Sequence, residues 1–578
     1  MKRIIYTFII LLAGLSVSAQ TPDQIFKAAG SPPNPKVQVS WNRYYTSEGL
    51  WAIAKKLSEA HPNLVKVETI GKTYEGRDMI ALTITDFSKG NVDRKPGMYV
   101  DGNIHSNEIQ GGEFAMYTAW YLAESWYYND FIKDLLADKV FYIVPTINPD
   151  ARNDYMKGVN TANTPRSGMM PIDDDRDGLV DEDGYDDLNG DGEVTMMRRK
   201  NPNGRYIIDP TDPRQMIEVE AGEPGEYEML GYEGKDNDGD GEVNEDRVGG
   251  YYDPNRDWGW NWQPEYIQRG AHKYPFSVPE NRNVMEFVMK HPNIGGAQSF
   301  HNSGGMILRG PGAEEDRGTY NATDDKVYDA IGELGESIMP GYTYMVVWRD
   351  LYTAFGGELD WFHGCRGIFT FTNELYHPYF MFGKDYKGGR RGDEVQKDMY
   401  KFEKNLLMTD AFVDWKEFDH PELGKIEIGG FRKNFGRDNP GFLLENDAHR
   451  NMAFLIFHAY HTPKLVIEKV EEKDLGGGLK QVTATIANKR LIPTHSSHDT
   501  KNKIIRPDYV SLEGANVVAG MVVTDVDMNK TTEQKVAPAK IALENIPGME
   551  AVTVRWIVSG SGKYTVKVDS EKGGVVTK

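Results

Sequence analysis

His105-Ser106-Asn107-Glu108 sets an imidazole and a carboxylate three positions apart in a chain of 578 residues. Neutral imidazole nitrogen and carboxylate oxygen are ligands that a borderline cation such as Zn2+ takes. A third ligand must come from elsewhere, and His301 closes the apolar run Gly295 to Phe300. Three protein ligands leave a fourth position for water, the arrangement of a hydrolytic zinc centre. The chain has 13 histidines, so spacing alone decides little; the elements that carry these residues must decide.

Gly97 to Asn103 reads as a strand ending just before His105, and Gly295 to Phe300 as one ending at His301. Sheet enzymes place their chemistry at strand ends. Two parallel strands ending side by side would bring His105, Glu108 and His301 together. Helical spacing over Trp51–His61, Glu113–Ser125 and Asn283–Lys290 alternates with strand-like runs at Leu64–Ile70, Met79–Ile84, Val140–Ile147 and Arg366–Phe371. That alternation predicts an α/β sheet covered on both faces. Further helices are expected over Glu394–Trp415 and Ala448–Tyr460. After Thr462 come short Val/Ile/Thr runs at Lys464–Val470, Gln481–Ala487, Ala551–Val558 and Tyr564–Val568. They predict an all-β sandwich-like domain over 463–578, with no legible catalytic motif and an unknown partner. His495 and His498 lie in its Ser/Thr-rich loop and read as exposed.

Composition narrows the function classes. The length calls for two or more domains. Hydrophobic residues make up 39%, with 11 Trp and 31 Tyr, which excludes a disordered chain and a multi-span membrane protein. Lys+Arg number 66 against 87 Asp+Glu, a net charge of −21, so no nucleic-acid partner is expected. Cys365 stands alone, which excludes an intrachain disulfide. Lys2 and Arg3, the apolar run Ile4 to Leu15 and Val17-Ser18-Ala19 read as a cleaved signal peptide over 1–19. The run is too short to span a bilayer comfortably, and no lipid-anchor cysteine follows it. A secreted or periplasmic chain without a membrane span is therefore expected.

From about 158 to 252 the periodicity gives way to an acidic insertion. It contains Asp173, Asp175, Asp177, Asp181 and Asp183; then Asp187, Asn189 and Asp191; then Asp236, Asp238, Asp240 and Asp246. Alternating oxygen ligands around glycine turns suit Ca2+, which takes six to eight oxygens. The pattern resembles the calcium loops of thrombospondin type-3 repeats. Residues 173–191 hold 10 acids and one base, and 236–246 hold six acids and no base. Like charge at that density repels itself without cations. Structural calcium is expected, with the insertion rim near Arg198 and Asn255 shaping a substrate cleft.

In order and local spacing, the motifs resemble the zinc carboxypeptidase family of the funnelin type, which includes pancreatic carboxypeptidase A. Tyr74-Glu75-Gly76-Arg77 is similar to the family's YEGR, and Asn148-Pro149-Asp150 to its NPD. Asp253-Pro254-Asn255-Arg256-Asp257-Trp258 is similar to DxNRNW, and 352–361 to YxAxGGxxDW; Glu374 follows. The likeness covers about 40–415, interrupted by the acidic insertion. It implies a carboxypeptidase-like mixed sheet covered by helices, with a catalytic domain over 20–462. It also implies one catalytic Zn2+ held by His105, Glu108 and His301, and Glu374 as general base toward the activated water. Arg198 or Arg199, with Arg198 preferred, would stabilise the oxyanion. Asn255, Arg256 and Tyr352 would hold the substrate's terminal carboxylate. Asp253 would orient His105, and Arg77 would contact more distant substrate. Leu359 would line the terminal side-chain pocket and suit an apolar residue. The expected activity is removal of C-terminal residues from peptides or proteins. A zinc amidase acting on cell-wall peptides and a non-catalytic calcium-dependent binding protein are the alternatives.

Overall fold

The computed structural model describes residues 28–384 and 393–578. The signal segment 1–19 lies outside them. Among the described residues no helix is long and apolar enough to cross a membrane.

Eight strands build the central sheet: β1 (Val65–Lys72), β2 (Asp78–Ile84), β3 (Gly97–Gly102), β4 (Val140–Val144), β5 (Ile294–Asn302), β6 (Met306–Arg309), β7 (Thr343–Val346) and β8 (Phe369–Leu375). Their order is β1-β2-β4-β3-β5-β8-β6-β7. The middle strands β4, β3, β5 and β8 run parallel, while β1, β2 and β6 introduce antiparallel pairs. Residues of β3, β4 and β5 are buried throughout, as parallel strands covered on both faces must be. Helix Gln110–Ser125 is buried on every side, packed between the sheet and the helices Ser47–Ala60 and Gly441–Tyr460. Its N-terminus presses close on the strands: a Cβ on Gly102 would meet the Gly111 carbonyl carbon at 2.5 Å. The opposite face is covered by Pro279–Lys290 and Glu358–Arg366, with Trp258, Trp361 and Phe362 in its core.

The insertion and one helix differ from expectation. The insertion contains four short strands, Met196–Lys200, Tyr206–Ile208, Met216–Glu218 and Tyr227–Tyr232. They join Phe412–His420 and Gly424–Phe431 in a second, antiparallel sheet. Strands of three to six residues are too short to show a period of two. The helix expected to reach Trp415 ends at Leu406, and Met408 and Thr409 turn the chain through positive φ. The apolar residues beyond belong to a strand.

The C-terminal residues form a five-stranded and a four-stranded antiparallel sheet around a core that includes Trp556. His495 is buried, not exposed. Its Nδ1 lies 3.0 Å from Asp499 and its Nε2 3.3 Å from Asp508. His498 reaches the Gly364 carbonyl at 3.0 Å, and Lys572 donates to the carbonyls of Arg366 and Gly367, so this part of the chain docks on helix Glu358–Arg366.

Candidate metal centre

The site is built where β3, β5 and β8 end side by side. Parallel register pairs Gly102 with Phe300 and Glu374 with His301. Beyond β3 the chain turns at Asn103, whose φ is 60°. The Asn103 side chain donates to the carbonyls of His105 (2.7 Å) and Ser106 (3.0 Å) and accepts from Arg152 (2.9 Å). Arg152 is fully buried and pairs with Glu113, which ties the loop to helix Gln110–Ser125. Loop 103–108 is thus held by side-chain bonds inside the core.

His105, Glu108 and His301 are all buried and converge. Nδ1 of His105 lies 3.1 Å from Glu108 Oε2, and Nδ1 of His301 lies 3.0 Å from the same oxygen. The two Nδ1 atoms are 3.2 Å apart. Two imidazole nitrogens and a carboxylate oxygen facing one point fit Zn2+ in donor type and number. The far nitrogen of His105, Nε2, is 2.8 Å from Asp253 Oδ1, leaving Nδ1 as the ligand atom. Burial opposes the charge on Asp253, but His105, Arg256 and Arg166 hold its carboxyl well below the usual range. Glu374 is half-buried beside His301. Desolvation and then the Glu108 carboxylate raise its pKa, against the pull of His301.

The clamp residues follow on one short 3-10 turn, Pro254–Arg256. Asn255 accepts the Glu358 amide at 2.8 Å, so the turn is fastened to the start of helix Glu358–Arg366. The two glycines of the 352–361 motif pass over it. Gly356 has φ +64°, and a Cβ there would meet the Arg256 carbonyl oxygen at 2.7 Å. Arg256 donates to the Asn255 carbonyl through Nη1. Tyr352 is exposed before this helix, and Leu359 is buried within it. Glu358 is buried too, with Oε2 3.2 Å from Ser299 Oγ.

Arg198 needs correction. It lies on Met196–Lys200 in the second sheet, where its guanidinium pairs with Glu427 at 2.6 Å and stacks on Tyr227 and Trp415. Arg199 pairs with Glu228. The arginine beside the ligands is Arg166, whose Nη1 donates to Glu108 Oε1 at 2.7 Å. Ser106 draws that segment in, since its Oγ donates to the Pro165 carbonyl and its amide to the Arg166 carbonyl. Chain order could not distinguish these arginines, because only hydrogen bonds fold 164–167 back over loop 105–108. Arg437, from outside every motif, also reaches the site: its Nη2 donates to Glu108 Oε1 at 3.0 Å and to the Asn302 carbonyl at 3.1 Å. Arg77 is engaged elsewhere, with Asp150 and Glu48.

In the insertion, acids gather in three groups, and Glu182 belongs to one of them. Asp181, Asp183, Asp187 and Asp191 are in none of the three. Asp183 spends its oxygens on Asn237 and the Asn244 amide, and Asp187 and Asn189 accept amides of their own turn.

Residues 50–170 and 182–383 match the family described as zinc carboxypeptidase, more than half of the chain. Residues 464–578 match a family described only as a domain of unknown function. Carboxypeptidase B of Astacus astacus is 24% identical over 347 residues, 58% of this chain and 88% of that protein. Zinc carboxypeptidase A 1 of Drosophila melanogaster is 30% identical over 112 residues, 19% of this chain and 26% of that one. Among solved structures, bovine thrombin-activatable fibrinolysis inhibitor in complex with tick carboxypeptidase inhibitor aligns with a TM-score of 0.40 and 17% identity, covering 73% of this chain and 98% of that one. Carboxypeptidase A from Helicoverpa armigera aligns with a TM-score of 0.39 and 18% identity, covering 66% and 78%. The chain belongs to the zinc carboxypeptidase family and is a metal-dependent hydrolase of peptides or proteins.

Proposed function

We propose that this chain is an exported exopeptidase that removes single residues from the C-termini of peptides or proteins. The observation that carries the reading is the meeting of two Nδ1 atoms and one Glu108 oxygen within 3.2 Å, with Glu374 on the neighbouring strand beside His301. Zn2+ held by His105, Glu108 and His301 would supply Lewis acidity toward the scissile carbonyl and an acidified water.

The chain's own groups do the rest. Glu374 accepts the attacking water's proton at a carboxylate oxygen and delivers it to the departing amine. Arg166 faces the charge that develops on the carbonyl oxygen, taking the role expected of Arg198. Arg256, with Asn255 and Tyr352, grips the terminal carboxylate, and that grip fixes which bond reaches the metal. Asp253 holds the His105 ring in its ligating orientation. Leu359 favours an apolar or aromatic C-terminal residue. We assign residues 1–19 to a signal peptide, 20–462 to the catalytic domain with the insertion at about 158–252, and 463–578 to the β-domain. The acidic insertion holds structural Ca2+.

Mass spectrometry of a mixed peptide library after digestion tests this. Successive loss of single C-terminal residues, apolar ones fastest, is expected. Internal cleavage, or equal action on C-terminally amidated peptides, would overturn it.

A further inference from the structure

Three groups of acids in the insertion overlap. Asp173, Asp175 and Asp246 form one, Asp175, Asp177, Glu182 and Asp238 a second, and Asp236, Asp238 and Asp240 a third. Within each group the ligand atoms lie within 4.8 Å of one another. Asp175 belongs to the first two and Asp238 to the last two. The first loop, 173–182, and the second, 236–246, are therefore joined by shared acids although far apart in sequence.

Asp246 gives an independent sign that a ligand belongs here. It is 1% exposed, and its carboxylate reaches into the first group. Its Oδ2 accepts the Asp174 amide, but its Oδ1 has no hydrogen-bond partner. Both oxygens of Glu182 are likewise hidden from solvent and without a donor. Buried carboxylate oxygens in native proteins find partners, and an oxygen-only donor set with no imidazole or thiol suits a hard cation.

We infer that Ca2+ binds between the two loops rather than within each, with Asp175 and Asp238 bridging neighbouring ions, so that the ions clasp the loops together. This rests on the structural-calcium reading and extends it. The clasp lies close to the metal centre along the chain. Asp174 accepts the Tyr251 amide at 2.9 Å, and two residues later Asp253 bonds His105. Calcium would thus also steady the wall that carries Asp253.

The test uses the full-length protein, freed of Ca2+ and resupplied with Zn2+, and titrates Ca2+ against trypsin cleavage after Arg176 and against Tm. Arg176 is exposed in the first loop. Wild type is expected to gain Tm and resist cleavage as Ca2+ rises. Asp238→Asn, an exposed position in the second loop, is expected to raise the Ca2+ needed to protect Arg176 at least tenfold; Asp527→Asn in the β-domain serves as control. Unchanged protection in Asp238→Asn would overturn the shared clasp while leaving calcium binding intact. A wild type indifferent to Ca2+ in both readouts would overturn the clasp and the calcium reading together.

Discussion

Arg166 donates from Nη1 to Oε1 of Glu108 at 2.7 Å, while the other oxygen of Glu108 faces His105 and His301. One carboxylate therefore anchors a guanidinium on one side and offers a ligand atom on the other. Arg166→Ala is expected to lower kcat by about 10²–10³-fold, the range seen when an oxyanion donor is lost. Arg198→Met should leave kcat within about threefold and instead cost stability, because it strands Glu427. Steady-state kinetics and urea melts on both variants check this; the opposite pattern would restore Arg198 to the site.

Arg437 lies beyond residue 383, where the family match ends, yet it touches both Glu108 and the Asn302 carbonyl next to His301. Those contacts predict a positioning role. Arg437→Ala is expected to weaken zinc binding by about 10–100-fold, with kcat at saturating zinc nearly unchanged. Competition for zinc against a chromophoric chelator reads this directly, and an unaltered affinity would reduce Arg437 to packing.

The clamp predicts discrimination between a free and a blocked C-terminus. Arg256→Ala should raise KM for free-acid peptides by about 10²-fold, the loss expected for a charge-assisted bidentate contact. Rates on amidated peptides, already low, should barely change. If both substrate types suffer equally, Arg256 supports the turn and does not meet the substrate.

His495 predicts a pH dependence of stability. Burial opposes its charge, but the bonds to Asp499 and Asp508 outweigh that and carry its pKa up to about 9. Lys572 lies 3.7 Å from Asp499 on the same cluster. A folded pKa above the unfolded value of about 6.5 means the stabilisation is complete below that pH and fades as pH rises through 9. The shift corresponds to about 3 kcal/mol. Lys572, whose burial brings its pKa down to about 8, adds stability as pH rises in the same window, so the readout is the difference between proteins. Urea melts from pH 6 to 10 should show wild type losing its advantage over His495→Gln as pH rises through 9; a constant difference would contradict it.

Much of the site was legible because its residues sit at strand ends. The apolar runs before His105 and His301 predict two strands ending together, and β3 and β5 pair in parallel; Glu374 was implied by the family likeness, and the pairing of β8 with β5 sets it beside His301. Of the nine strands from Leu465 onward, four were legible as short Val/Ile/Thr runs between Gly and Pro, and the other five were not. Arg166 and Arg437 were not, because they reach Glu108 from irregular segments placed by single hydrogen bonds. Nor was the burial of His495, since a Ser/Thr-rich stretch reads as surface until Asp499 and Asp508 close on it.

The central claim is that His105, Glu108 and His301 share one zinc ion. Elemental analysis of the purified wild type and of His301→Ala tests it most directly. One zinc per wild-type chain and a fraction of that in the variant is the predicted result. Equal zinc in the two proteins, or none in a hydrolytically active wild type, would contradict it.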